Sequence, residues 1–203
     1  KQHWRWLTHQ VFRSLSETKG YEGDVLFLEE DHRPTPDLLD TAKALMSIKN
    51  QGDPTCPGCW GVYLKFGCER EDKETDVHKA CRVKWFVNTG VGFNASVYRS
   101  IEASDFDTFR DGWDWSIYHL IQTGQLLPCQ PECTPHMVAP AVSRISNIGV
   151  EGITVHESDQ ASLEQLHFGT VGDDVYDKGF DASKIQLAPY FGHGGAIDER
   201  LYF

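Results

Sequence analysis

The apolar residues Trp4, Leu7, Val11, Phe12 and Leu15 recur at spacings of three, four, one and three, which places them on one face of a helix. The Lys19-Gly20 pair breaks that pattern and predicts that the helix stops before it. Val25-Leu26-Phe27-Leu28 follows as an unbroken apolar run between Gly23 and a burst of acids, the pattern of a buried strand with a polar carboxyl end. In α/β proteins that end of a strand is where ligands bind. Thr35-Pro36-Asp37 supplies an N-cap, an N1 proline and an early-turn acid. A second helix is predicted from there through Leu38, Leu39, Ala42, Leu45, Met46 and Ile48. Further strands are predicted at Gly61–Phe66 and Val91–Phe93, and a helix over Trp113–Gln122 with Ile117, Leu120 and Ile121 on one face. Met137-Val138-Ala139 and Gly152-Ile153-Thr154-Val155 have strand character, while the Gly- and Asp-rich stretch from Gly169 to Gly195 reads as loops. No repeat or low-complexity linker divides the chain, so the expectation is one α/β domain over residues 1–203.

With 40% hydrophobic and 12% aromatic residues, the 203-residue chain can offset the entropy of folding with a packed core. Its 19 Lys and Arg face 30 Asp and Glu, a net charge of −11. That charge repels phosphate backbones and anionic membranes and makes metal cations the natural counterpart. No run of eighteen apolar residues occurs and no charged-then-apolar leader opens the chain, so any membrane anchor is expected outside it.

Six cysteines, Cys56, Cys59, Cys68, Cys81, Cys129 and Cys133, admit two readings. Cys56-Pro57-Gly58-Cys59 offers half a zinc clip, but no second CxxC or HxxxH completes it. The local pairings Cys56–Cys59, Cys68–Cys81 and Cys129–Cys133 are the disulfide alternative, and the sequon Asn94-Ala95-Ser96 independently suggests a secretory compartment.

Two constellations carry candidate chemistry. Glu29-Glu30-Asp31-His32 directly follows the first predicted strand, and consecutive acids repel one another unless solvent or a cation screens them. The cluster is therefore either a solvated turn or a divalent metal site, with Asp31 as a hard oxygen ligand for Mg²⁺ or Mn²⁺ beside a diphosphate. His32 is a ligand or, as is more common beside acids, a hydrogen-bonded residue. The second is Asp111-Gly112-Trp113-Asp114-Trp115. Asp114 is an early-turn helix acid, or a base whose basicity is raised by indoles that also form platforms for sugar faces.

Leu26 to His32, the proline-initiated helix, the Cys56–Cys59 clip and Trp113-Asp114-Trp115 occur in an order that resembles the N-acetylglucosaminyltransferase II family, and more distantly N-acetylglucosaminyltransferase I. The similarity covers roughly Trp4 to Gly152. It implies a GT-A-like fold, a mixed sheet flanked by helices, whose first strand and stem would precede Lys1. It also implies transfer of GlcNAc from UDP-GlcNAc to the 2-hydroxyl of a terminal mannose of N-glycans, with inversion, in the Golgi lumen. Carried over, Asp31 would hold Mn²⁺, Glu29 and Glu30 would line the donor, Asp114 would be the base, and Trp113 and Trp115 would shape the acceptor pocket. The anchored full-length form would be a type II membrane protein, with Asn94 its glycosylation site.

The segment Val142-Ser143-Arg144-Ile145-Ser146-Asn147 departs from that pattern by placing Asn147 where the second transferase has a metal-binding histidine. Asn147 would then ligate through its amide oxygen or not at all, and His156 and His193 are substitute ligands or, as is more common, ordinary polar residues. Two other readings stay open. One is a cation- or sugar-binding module without donor chemistry, although Gly172 to Asp177 lacks the spacing of an EF-hand. The other is the same chemistry on an O-mannosyl acceptor, decided by loops at 68–81 and 129–147.

Overall fold

Successive side chains along a strand point to opposite faces, and among the described residues that alternation feeds two large cores, beside a small third cluster of Cys68, Cys81, Ala141 and Ala188. The computed structural model describes residues 1–52, 55–65, 68, 77–84, 86, 88–126, 135–147 and 181–192. Its main sheet contains β1 (Asp24–Phe27), β3 (Cys59–Tyr63), β4 (Lys79–Val83), β5 (Val91–Asn94), β6 (His136–Pro140) and β8 (Gln186–Gly192), in the order β1-β5-β3-β6-β4-β8. The β3–β6 and β4–β8 pairs are parallel and the other three antiparallel. On one face Phe93, Trp60, Tyr63, Val83, Met137 and Ala139 meet α1 (Gln2–His9), α3 (Ala95–Glu102) and α4 (Trp113–Gln122). On the other, Val62, Ala80 and Val138 meet Leu38, Ala42, Leu45 and Ile48 of α2 (Leu38–Asn50). The result is the mixed α/β sandwich expected, consistent with a GT-A-like fold.

The first face is aromatic. Trp4 of α1 stacks on Trp113 of α4, ring centroids 4.8 Å apart and planes 3° from parallel, and Phe12, Phe27 and Phe93 extend the cluster. Tyr118 ties α4 to the segment that follows β4 by accepting the Phe86 N–H and donating to the Phe86 carbonyl. No helix among the described residues is long and apolar enough to cross a membrane.

Several boundaries move for physical reasons. The first helix is α-helical only through His9 and continues as a π-turn over Gln10–Ser14. The apolar run at 25–28 forms β1 over Asp24–Phe27, yet it ends the strand order among the described residues and is half-buried rather than buried. Its Asp24 is tied to α2 by a buried ion pair with Lys49 and by Asn50 Nδ2 at 2.9 Å. The second helix starts at Leu38 rather than Pro36, because the Asp37 carboxylate bonds Thr35 and Thr41 and Asp37 itself becomes the cap position. Part of the stretch read as loops is a strand, β8, drawn into the sheet by pairing with β4. Asn94 N-caps α3, its Oδ1 accepting from Val97 N at 3.1 Å and Ser96 Oγ at 3.0 Å.

Cys56–Cys59 and Cys68–Cys81 are disulfides. With both clip sulfurs bonded to each other, no thiolate pair remains at the clip for zinc, and His136 Nε2 contacts Cys56 Sγ at 3.8 Å. Cys129, Cys133, His156, His193, the predicted strand at 152–155 and the Asp-rich stretch at 172–177 lie outside the described residues.

Candidate active site

The carboxyl end of β1 runs into a turn that closes on itself. His32 N–H donates to the Glu29 carbonyl at 3.1 Å, and Glu29 N–H donates to His32 Nδ1 at 3.0 Å. This double closure buries the His32 ring, 1% exposed, beneath Glu29 and Asp31, whose side chains are about one-third exposed at 38% and 36%. From His32 the chain enters β2 (His32–Pro34), which pairs antiparallel with β7 (Ile145–Asn147) in the register His32↔Asn147, Arg33↔Ser146 and Pro34↔Ile145. The ladder therefore sets the position of Asn147 opposite His32.

That ladder is anchored from below. Arg144, its side chain fully buried, donates to Asp37 Oδ2 at 2.6 Å, the Val142 carbonyl at 2.7 Å, and Thr41 Oγ1 and the Val77 carbonyl at 3.2 Å each. Its own carbonyl accepts Thr35 N–H at 3.0 Å. One side chain thus joins α2, the segment before β4 and the strand that carries Asn147.

Burial pushes the Glu29 carboxyl up to about 6, helped by the charges of Asp31, Glu30 and Asp114. The Asp114 contribution is informative, because 85 residues of sequence separate the two acids and the fold brings them within electrostatic reach. Burial also lowers His32 below its ordinary value, against the raising charge of Asp31 and with a lowering one from Lys65. Lys65, buried just past β3, is itself brought down to about 8 by burial. Sequence reading missed Lys65, since a lone basic residue in an apolar run carries no periodic signal, and it placed Arg144 in the segment that carries Asn147 without assigning it a role.

Asp114 lies in the first turn of α4 and Gly112 is its N-cap position. A Cβ on Gly112 would lie 2.6 Å from Asp114 Oδ1, so the glycine makes room for the carboxylate. At φ −56° the Gly112 backbone itself tolerates any residue. Gly112→Ala is therefore expected to fold with little change in Tm but to shift the Asp114 carboxylate, lowering kcat by up to about 100-fold. Unchanged kcat would show that the carboxylate position is not used. Of the flanking indoles, Trp113 turns inward onto Trp4, whereas Trp115 is 36% exposed, its ring 5.9 Å from Tyr118. Glu30 is exposed at the rim of the turn.

The donor set at the turn suits a hard cation. One side-chain O or N atom each from Glu29, Asp31 and His32 falls within 4.8 Å of the others, and among the described residues Asp31 Oδ1 is buried without a hydrogen-bond partner. The same crowding has a pH signature without any metal. Glu29 holds its proton more tightly folded, at about 6, than at the free value of 4.5, so stability falls as pH rises through that window. Glu29→Gln is expected to flatten this decline, gaining on the unmodified protein between pH 4.5 and 7 in urea titrations run with EDTA. Parallel curves would remove Glu29 as the source.

Residues 1–188 match the N-acetylglucosaminyltransferase II (MGAT2) family. The chain belongs to that family. Curated relatives named alpha-1,6-mannosyl-glycoprotein 2-beta-N-acetylglucosaminyltransferase are 32% identical over 179 residues in Sus scrofa, 33% over 119 in Arabidopsis thaliana and 29% over 178 in Homo sapiens. The matches cover 82%, 58% and 82% of this chain, and 38%, 26% and 38% of the respective relatives. The chain thus spans well under half the length of each. Within this member of the N-acetylglucosaminyltransferase II family, the acid turn, α4 and the Arg144 anchor all fall inside the matched residues.

Proposed function

We propose that this chain carries catalytic machinery of an inverting β-1,2-N-acetylglucosaminyltransferase that moves GlcNAc from UDP-GlcNAc to the 2-hydroxyl of a terminal mannose of N-glycans. The observation that carries this reading is the match of residues 1–188 to the N-acetylglucosaminyltransferase II family, and the influence of the Asp114 charge on Glu29 is in keeping with it. A base beside a donor site is what single-displacement glycosyl transfer requires. Asp114 takes the proton of the attacking mannose hydroxyl as its oxygen bonds to C1 of GlcNAc, and the C1–oxygen bond to UDP breaks on the opposite face. Glu29 and Glu30 line the donor side, and Trp115 offers an indole face to the acceptor sugar.

Mn²⁺ or Mg²⁺ bound through Asp31 would supply Lewis-acid stabilisation of the departing diphosphate. Asn147 stands opposite His32 in the β2–β7 ladder, a register that supports a place at the same site. Two disulfides support an oxidising compartment, in keeping with the Golgi lumen.

UDP release in the presence of Mn²⁺, UDP-GlcNAc and either mannose-terminated N-glycans or an O-mannosyl peptide tests the proposal. The expected result is release that depends on the N-glycan and is abolished by EDTA. Release only with the O-mannosyl peptide would change the acceptor, and tight sugar binding without release from any acceptor would make the protein a binding module.

A further inference from the structure

A ring nitrogen that accepts a main-chain N–H does so with its lone pair. Because Glu29 N–H points at Nδ1 from 3.0 Å, neutral His32 carries its single proton on Nε2. Among the described residues that nitrogen has no hydrogen-bond partner; it belongs to a ring 1% exposed and faces Glu29 Oε2 at 3.7 Å and Asp31 Oδ1 at 3.8 Å. Asp31 Oδ1 is equally buried and, among the described residues, unpartnered. A donor and an acceptor, both removed from water, therefore confront each other just beyond bonding distance.

We propose that His32 is a positioning residue of the acid turn, locked by the Glu29 main chain with its proton on Nε2, so that it donates to the Asp31 and Glu29 carboxylates and leaves a cation to their oxygens. An Nε2–H has no lone pair to offer a metal. Ligation by His32 would require its proton on Nδ1, directly opposing the Glu29 N–H and opening the turn that orients all three side chains. The remaining distance closes by rotation of either carboxylate, both of which belong to partly exposed side chains. The arrangement matches the general rule that hydrogen-bonded outer groups orient the ligands of a metal. This inference rests on the cation role proposed for Asp31.

The test is a long-range ¹H–¹⁵N correlation spectrum of protein labelled in histidine, recorded free of metal and again with Mg²⁺ and UDP, the His32 signals being assigned by their loss in His32→Gln. The expected result is protonated Nε2 and bare Nδ1 under both conditions. A proton on Nδ1, or loss of the Nε2 proton on adding Mg²⁺, overturns the proposal and leaves the cation site standing with His32 as a ligand. Mn²⁺ affinity measured by electron paramagnetic resonance is the second readout. His32→Gln, which keeps an N–H donor, is expected to bind within a few-fold of the unmodified protein, and His32→Leu about 10–100-fold more weakly. Equal affinity in His32→Leu overturns the positioning role. Absence of Mn²⁺ binding by the unmodified protein overturns the cation reading and this inference with it.

Discussion

Asp114→Asn is expected to lower kcat by about 10²–10⁴-fold while UDP-GlcNAc and Mn²⁺ bind as before. The substitution keeps the size of the side chain and removes only the ability to take a proton. Asn at that position loses a favourable charge at the start of α4, a cost of about 0.3–1 kcal/mol, too small to unfold a helix held by Tyr118 and by the Trp4–Trp113 stack. Donor affinity by calorimetry and single-turnover transfer measured on the same sample separate chemistry from binding. A variant that turns over normally would move the base to another group near the acceptor. One that loses donor affinity along with turnover would assign Asp114 to binding. The substitution also removes a negative charge from the neighbourhood of Glu29, so the Glu29 carboxyl is expected to titrate lower in this variant. That secondary effect checks the proximity of the two acids independently of catalysis.

The parts of this site that could be read from sequence are those built by local pattern. Trp113–Gln122 is a helix where its apolar face predicts one, because every third or fourth side chain reaches the same core. The acid turn is legible for a similar reason, as an apolar run must end somewhere and polar residues mark the place. What escaped detection depends on distant partners. β4 reads Lys79-Ala80-Cys81-Arg82-Val83, with no clean alternation, and is a strand because β6 and β8 flank it and Cys68 is bonded to Cys81. β2 is three residues long and exists only because residues 145–147 lie alongside. α3 hides behind its own cap, since Asn94-Ala95-Ser96 reads equally as a glycosylation sequon and as the start of a helix. His32 is the subtlest case. Its role follows from which nitrogen meets the Glu29 N–H, a matter of ring orientation that no spacing encodes.

Arg144→Leu is expected to destabilise the protein by about 3–5 kcal/mol, because it strands the Asp37 carboxylate in a nearly dry site. Asp37 is 14% exposed at its side chain and among the described residues keeps the Thr35 and Thr41 hydroxyls as donors once the guanidinium is gone. The carbonyls of Val142 and Val77 lose their Arg144 donor in the same step. Set against a typical domain stability of about 5–15 kcal/mol, the loss is large enough to read as a clear fall in urea midpoint. The discriminating experiment is the double variant Arg144→Leu with Asp37→Asn, which removes both charges. If the cost of the single change comes from an unpaired buried charge, the double variant recovers at least about 1 kcal/mol of it. No recovery would mean that Arg144 acts through its packing and its carbonyl contacts. The two outcomes also differ at the site. Arg144 fixes the strand that holds Asn147 across from His32, so the single variant is expected to bind Mn²⁺ more weakly under conditions where it is still folded. Recovery of stability in the double variant without recovery of Mn²⁺ affinity would show that the guanidinium holds the β2–β7 ladder in place as well as neutralising Asp37. Recovery of both would assign it to charge balance alone.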